Sequence, residues 1–178
     1  MEQLKTEFNL KIKWVAFPLH PETPEQGQSL EELFAGRNID LDAVRMRLKM
    51  AADEVSLPLT VRNMTYNSRK ATELGKWAEA QGKGEAFHDA LFRAYFADAL
   101  NIADISVLKQ ICAKLGLDPL EAETVIAKRI YKNAVDEDWA YALKVGIRAV
   151  PTFLINGRMV EGAQSYDILK RLVNRQLL

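Results

Sequence analysis

The sequence predicts an α/β fold in which a long helical block interrupts a smaller strand-bearing frame. Three observations carry the prediction. "LKIKWVAFPL" (Leu10 to Leu19) has apolar side chains on both faces, which suits a strand over 11–18 covered on both sides. From about Ser68 to Val145 the pattern is continuously helical. The period then changes: Thr152 to Ile155 is a short apolar run, Asn156-Gly157 fits a two-residue hairpin turn, and "RMVEG" supplies the return strand.

Taken in order, residues 1–7 read as the tail of a helix with no cap or turn before it. In the following strand Ile12, Trp14 and Ala16 point one way and Val15, Phe17 and Leu19 the other. His20 to Ser29 is a loop. Asp40 caps a helix whose stripe is Leu41, Val44, Leu48, Ala51 and Val55. "SLPLTVRN" reads as extended. "SRKATELGKWAEAQGKG" is a helix ending on glycines, and "EAFHDALFRAYFADAL" is apolar around much of its circumference, as a buried helix is. Ile105, Leu108, Ile111, Cys112 and Leu115 share one side of the next helix. Asp118, Pro119 and Glu121 form an N-terminal signature for the one after it. Tyr131, Val135, Trp139 (or Asp138) and Ala142 follow helical spacing up to Gly146, and Ser165 caps a last amphipathic helix.

The 178 residues suffice for one compact unit with a small subdomain, and 24 basic against 24 acidic residues balance. No basic block marks a nucleic-acid footprint, and no run is long enough to span a bilayer. The polar N-terminal segment has no secretory h-region, so the expectation is a soluble cytoplasmic protein. One cysteine and two histidines give no zinc-type spacing and no internal disulfide; neither metal nor cofactor is expected.

Pro151 stands at the mouth of a strand expected to be internal, where a residue without an N–H belongs only at an edge, a start or a bulge. A cis Val150–Pro151 peptide is one solution, and a trans proline opening an edge strand is the other. "GIRAVPTFLINGRMVEGAQSYDILKRLV" resembles the C-terminal segment of the thioredoxin superfamily. There a cis-proline precedes a hairpin and a final helix. "WVAFPLHP", "GEAFHDALFRAYF", the Asp138 to Ala142 spacing and "GAQ" resemble DsbA-like oxidoreductases of the FrnE type, from about Lys11 to Leu177.

This resemblance implies a thioredoxin-like fold with an inserted all-helical domain. The thioredoxin-like part is 1–66 with 137–178, and the insertion is 67–136. It implies Pro151 as the cis-proline and Val150 as the residue whose backbone docks an extended substrate. The substrate would be a protein or small molecule carrying a thiol or disulfide. A homodimer is compatible, and no nucleic-acid or membrane partner is implied.

The sequence departs from the family at the essential place. Family members carry a first strand and then Cys-x-x-Cys at a helix N-terminus, where the thiol pKa is lowered. Here neither the first strand nor the dithiol is present, so no catalytic residue is assigned and the chain alone is expected to be inactive in dithiol exchange. The preferred explanation is a start placed too late or a shortened chain. The alternatives are a gap filled by another chain, or two flanking strands closed on each other. Two further functional readings stand beside the first. One is a relative of kappa-class glutathione transferases and 2-hydroxychromene-2-carboxylate isomerases, which use glutathione. The other is a non-catalytic peptide-binding module. His88, on the helical insertion, is an additional candidate for substrate contact, with a core histidine as the plainer reading. Cys112, on an apolar stripe, is expected to be inert packing. Asp136 to Asp138 are expected to form a solvated helix face.

Overall fold

Short polar side chains set most of the helix starts. In the computed structural model, which describes residues 2–155 and 157–174, Asp40 Oδ1 accepts from the amides of Asp42 and Ala43 at 3.1 and 3.0 Å and opens α3 (Leu41–Glu54). Asp104 and Asp118 do the same for α6 (Ile105–Lys114) and α7 (Pro119–Ala127), each at 2.8 Å. These bonds satisfy amides that have no partner within the helix. The remaining helices are α1 (Glu2–Phe8), α2 (Leu30–Leu33), α4 (Arg69–Ala80), α5 (Gly84–Phe92), α8 (Lys132–Lys144) and α9 (Tyr166–Asn174). Two antiparallel ladders accompany them. β1 (Gln28–Ser29) pairs with β2 (Met64–Thr65), and β3 (Thr152–Ile155) pairs with β4 (Arg158–Glu161). Asn156, half of the expected hairpin turn, lies outside the described residues; Gly157 sits at φ +80°, as that turn requires.

The chain packs as two units. Pro18–Val135 form one; the residues up to Phe17 and from Asp136 onward form the other. In this division residues 18–66 pack with the helical block. In the helical unit Leu74, Trp77, Phe87, Leu108, Cys112 and Val125 are at most 3% exposed and form the centre of its core. The other unit is built on Leu4, Leu169 and Val173, with Phe8, Leu10, Phe153, Ile155 and Tyr166 against them.

Several expectations are corrected. Residues 11–18 form no ladder, although their side chains from Trp14 to Phe17 are partly buried. A strand exists only with a neighbour to bond. Among the described residues no ladder joins this segment to β3, so the two have not closed on each other. For the same reason β3 lies in a two-stranded hairpin, and Pro151 does not open an internal strand. The segment 85–100 is not one buried α-helix. After Phe92 the backbone widens into a π-helical turn, Arg93–Ala97, and Phe92 and Phe96 remain 46% and 38% exposed. Finally, α3 buries no residue, and its predicted stripe stays largely on the surface.

Candidate functional site

The loop before β3 is held from both sides. The Gly162 amide donates to the Pro151 carbonyl at 2.7 Å, extending the hairpin by one bond beyond the Thr152–Glu161 pair. Gly162 makes that turn at φ +82°, a conformation in which a side chain is strained. The Thr152 hydroxyl donates to the Ala149 carbonyl at 2.6 Å. Behind the loop, Phe153 and Ile155 pack against the Leu4, Leu169 and Val173 core. The Val150–Pro151 peptide is cis. Val150 is 44% exposed, and Pro151 is also exposed. Among the described residues, no hydrogen bond falls on the backbone N–H or C=O of Val150. The loop therefore presents one donor and one acceptor to solvent on a braced frame, which is what an extended peptide can pair with.

His88 lies in the helical unit. Its Nε2 is 3.3 Å from Glu79 Oε1, its ring is 6.4 Å from that of Phe92, and its side chain is 19% exposed. Burial pushes the imidazole pKa below its ordinary value, although Glu79 works the other way. Gly75 faces the ring, and a Cβ there would make an ordinary contact, 3.5 Å from His88 Cε1. Gly84 lets α5 start against α4, because a Cβ at that position would come within 2.6 Å of Glu79 Cγ. His88 is thus a neutral, mostly buried histidine with a carboxylate partner.

Cys112 is fully buried, and burial pushes its thiol up to about 11. A thiol so placed is protonated at neutral pH and is no nucleophile. Among the described residues no group of three His, Cys, Asp or Glu side chains is arranged to hold a metal, and no helix is long and apolar enough to cross a membrane.

Two polar arrangements escaped the sequence reading. Asp138 is not a solvated acid: it is partly buried, and its Oδ2 accepts the Ala16 amide at 2.8 Å. The α8 periodicity could have shown Asp138 beside Trp139 near the packed face, but not its partner. The other is Glu73, 1% exposed, which Arg69 and Arg129 neutralise. Arg129 Nε and Nη2 reach the two carboxylate oxygens at 2.7 and 2.5 Å, and Arg69 Nε adds a third bond at 2.7 Å. Burial pushes the Glu73 carboxyl up, but the hydrogen bonds from Arg129 and Arg69 outweigh it and hold the carboxyl below the ordinary range.

A family model described as the DSBA-like thioredoxin domain matches residues 1–174. An uncharacterized protein of Bacillus subtilis strain 168, YwbO, is 24% identical over 167 residues, which are 93% of this chain and 82% of that one. Among solved structures, one described as the probable DsbA oxidoreductase SCO1869 of Streptomyces coelicolor superposes with a TM-score of 0.83. It is 25% identical, and the match covers 90% of this chain and 73% of that one. A 2-hydroxychromene-2-carboxylate isomerase superposes with a TM-score of 0.80 at 19% identity, over 99% of this chain and 86% of its own. The latter likeness is one of fold.

Proposed function

This chain belongs to the DSBA-like thioredoxin domain family, and from that premise we propose that it carries the substrate-docking half of a FrnE-type thiol–disulfide oxidoreductase. The observation that carries the reading is the unpaired, exposed backbone of Val150 beside Pro151, braced by Gly162 and Thr152. An extended segment of a thiol- or disulfide-bearing substrate pairs with Val150 as one added strand residue. The exchange itself needs a thiolate to attack the substrate disulfide, releasing one substrate thiolate and forming a mixed disulfide that a second thiol resolves. Cys112 does not fit that task, so docking is separated from chemistry in these 178 residues. His88, with its imidazole still partly exposed, is an accessory substrate contact in this reading. The reading also places the protein in the cytoplasm, where a free thiol such as Cys112 persists.

The test is fluorescence-anisotropy binding of a labelled extended peptide with one alkylated cysteine. Wild type binds it. Val150→Pro, which removes the N–H, weakens binding by about tenfold, the worth of one or two hydrogen bonds. Equal affinity for wild type and Val150→Pro would refute the docking role. Glutathione is titrated in parallel, and tight glutathione binding with no peptide binding replaces this reading with the glutathione-dependent one.

A further inference from the structure

Three arginines of the helical unit are partly buried: Arg45, Arg62 and Arg69. Arg45 pairs with Glu31 and Asp42, and Arg69 pairs with Glu73. Among the described residues no carboxylate pairs with Arg62, although covering a charge without its counter-ion is costly.

The π-helical turn Arg93–Ala97 sets the surroundings of Arg62. At the end of a helix the last carbonyls have no partner within it. Thr60 takes two of them here: its amide donates to the Phe96 carbonyl at 2.8 Å, and its hydroxyl donates to the Ala97 carbonyl. This fixes the segment ahead of Arg62 on the widened turn. The guanidinium then lies in the corner of two rings, 4.0 Å from the centre of Tyr95 and 5.3 Å from that of Phe96. The rings are 4.9 Å apart and inclined by 76°. Nη1 donates to the Met64 carbonyl at 2.9 Å and to the Tyr95 hydroxyl at 2.5 Å.

That uses one end of the guanidinium. Nε and Nη2 have no acceptor among the described residues, and both still reach solvent. These two atoms form an edge that grips a carboxylate with two parallel bonds. Arg129 grips Glu73 with that same edge. Beside it stand Phe96, 38% exposed, and Phe92, 46% exposed, with ring centres 6.3 Å apart. Cation and rings follow one another along the helix, as an extended chain can follow with successive side chains.

The geometry points to a binding surface for an acidic–aromatic polypeptide segment. An Asp or Glu of the partner closes on Nε and Nη2 of Arg62. An aromatic or large apolar side chain two or three residues away packs on Phe96 and Phe92. At ~3.3 Å per residue, that spacing spans the step from guanidinium to rings. The partner's carboxylate supplies the counter-charge that Arg62 lacks, and its ring covers the two exposed ones. The segment needs no thiol, so this surface is independent of docking at Val150.

Fluorescence anisotropy tests this, with the full chain as receptor. The labelled eight-residue peptide carries one Glu, Phe-Phe starting two residues after it, and no cysteine. Wild type binds it, and binds its Glu→Gln counterpart about tenfold more weakly, the worth of one charge-assisted pair. Arg62→Gln weakens the Glu peptide by about the same factor and no longer distinguishes the two peptides. Phe92→Ala weakens both peptides by about fivefold or more and leaves the ratio between them unchanged. Both variants keep the wild-type circular dichroism spectrum. Should Arg62→Gln unfold, Arg62→Lys is read in its place: it keeps the charge and gives up the two-pronged edge, so the Glu-to-Gln penalty must shrink there too. A wild type that does not bind the Glu peptide overturns the inference. So does a Glu-to-Gln penalty that persists undiminished in the Arg62 variants, or a Phe92→Ala chain that binds as wild type does.

Discussion

The Ala16 amide donates to Asp138 Oδ2 at 2.8 Å, across 122 residues of sequence. Ala16 lies in the apolar stretch that runs without a ladder, so its N–H has no sheet partner, and a carboxylate on α8 takes the place of one. Asp138→Ala leaves a partly buried amide unsatisfied and should cost about 1–3 kcal/mol. Asp138→Asn keeps an acceptor and should cost less. Urea denaturation midpoints of the two variants check the order.

The Glu73–Arg129 fork makes a second prediction. Arg129 adopts φ +52°, the left-handed conformation that follows α7, where glycine is the usual residue. Arg129→Ala removes the fork, leaves Glu73 buried with Arg69 alone and keeps the strained backbone. The expected loss is about 3 kcal/mol. Arg129→Gly loses the same fork but relaxes the backbone, so it should be the milder change by about 0.5–1 kcal/mol. If Arg129→Gly proves equal to or worse than Arg129→Ala, the backbone is not strained there.

Glu73 also predicts acid sensitivity. Its folded pKa lies below the unfolded value, so its contribution is fully present above about pH 4.5 and is lost as pH falls through the folded pKa. Stability measured downward from pH 5 should fall more steeply in wild type than in Glu73→Gln, which has no such proton to take up.

His88 predicts a second, milder window. Its folded pKa is depressed by burial, so neutral His88 favours the folded state above about pH 6.5, and that advantage is lost as pH falls through the folded pKa. Between pH 7 and 5, wild type should lose stability that His88→Gln retains. Parallel curves for the two proteins would mean that the imidazole is not desolvated.

Cys112 should not react with Ellman's reagent in the native state, and should react at once in denaturant. Its pKa of about 11 and full burial give both reasons. Cys112→Ala should cost about 1 kcal/mol, as a small cavity does.

These sites also mark where sequence reading reaches and where it stops. The caps Asp40 and Asp118 were legible because each bonds an amide two or three residues away. Gly157 was legible for the same local reason, and so were the core positions Leu108, Ile111 and Cys112. The stretch 11–18 was not, because alternating side chains specify a strand only when another strand lies beside it. Asp138 looked solvated because its partner is 122 residues away, and the Glu73–Arg129 fork spans 56. Phe92 and Phe96 look like core residues in any helix, and the widened turn at Arg93–Ala97 has no sequence signature. At the docking loop, Pro151 and Val150 could be named from their motif, whereas the brace from Gly162 is visible only in the folded chain.

The division at Phe17 and Asp136 has a consequence for how the chain is made. The helical unit is continuous in sequence, and its core is complete once Val135 has left the ribosome. Leu4 has no such luck, for its partners Leu169 and Val173 follow the whole helical unit in the chain. At ~5–20 residues per second, the first helix waits roughly ten to thirty seconds for them. During that interval Leu4, Phe8 and Leu10 have no core to enter, and a chaperone has its clearest opportunity to bind the nascent chain.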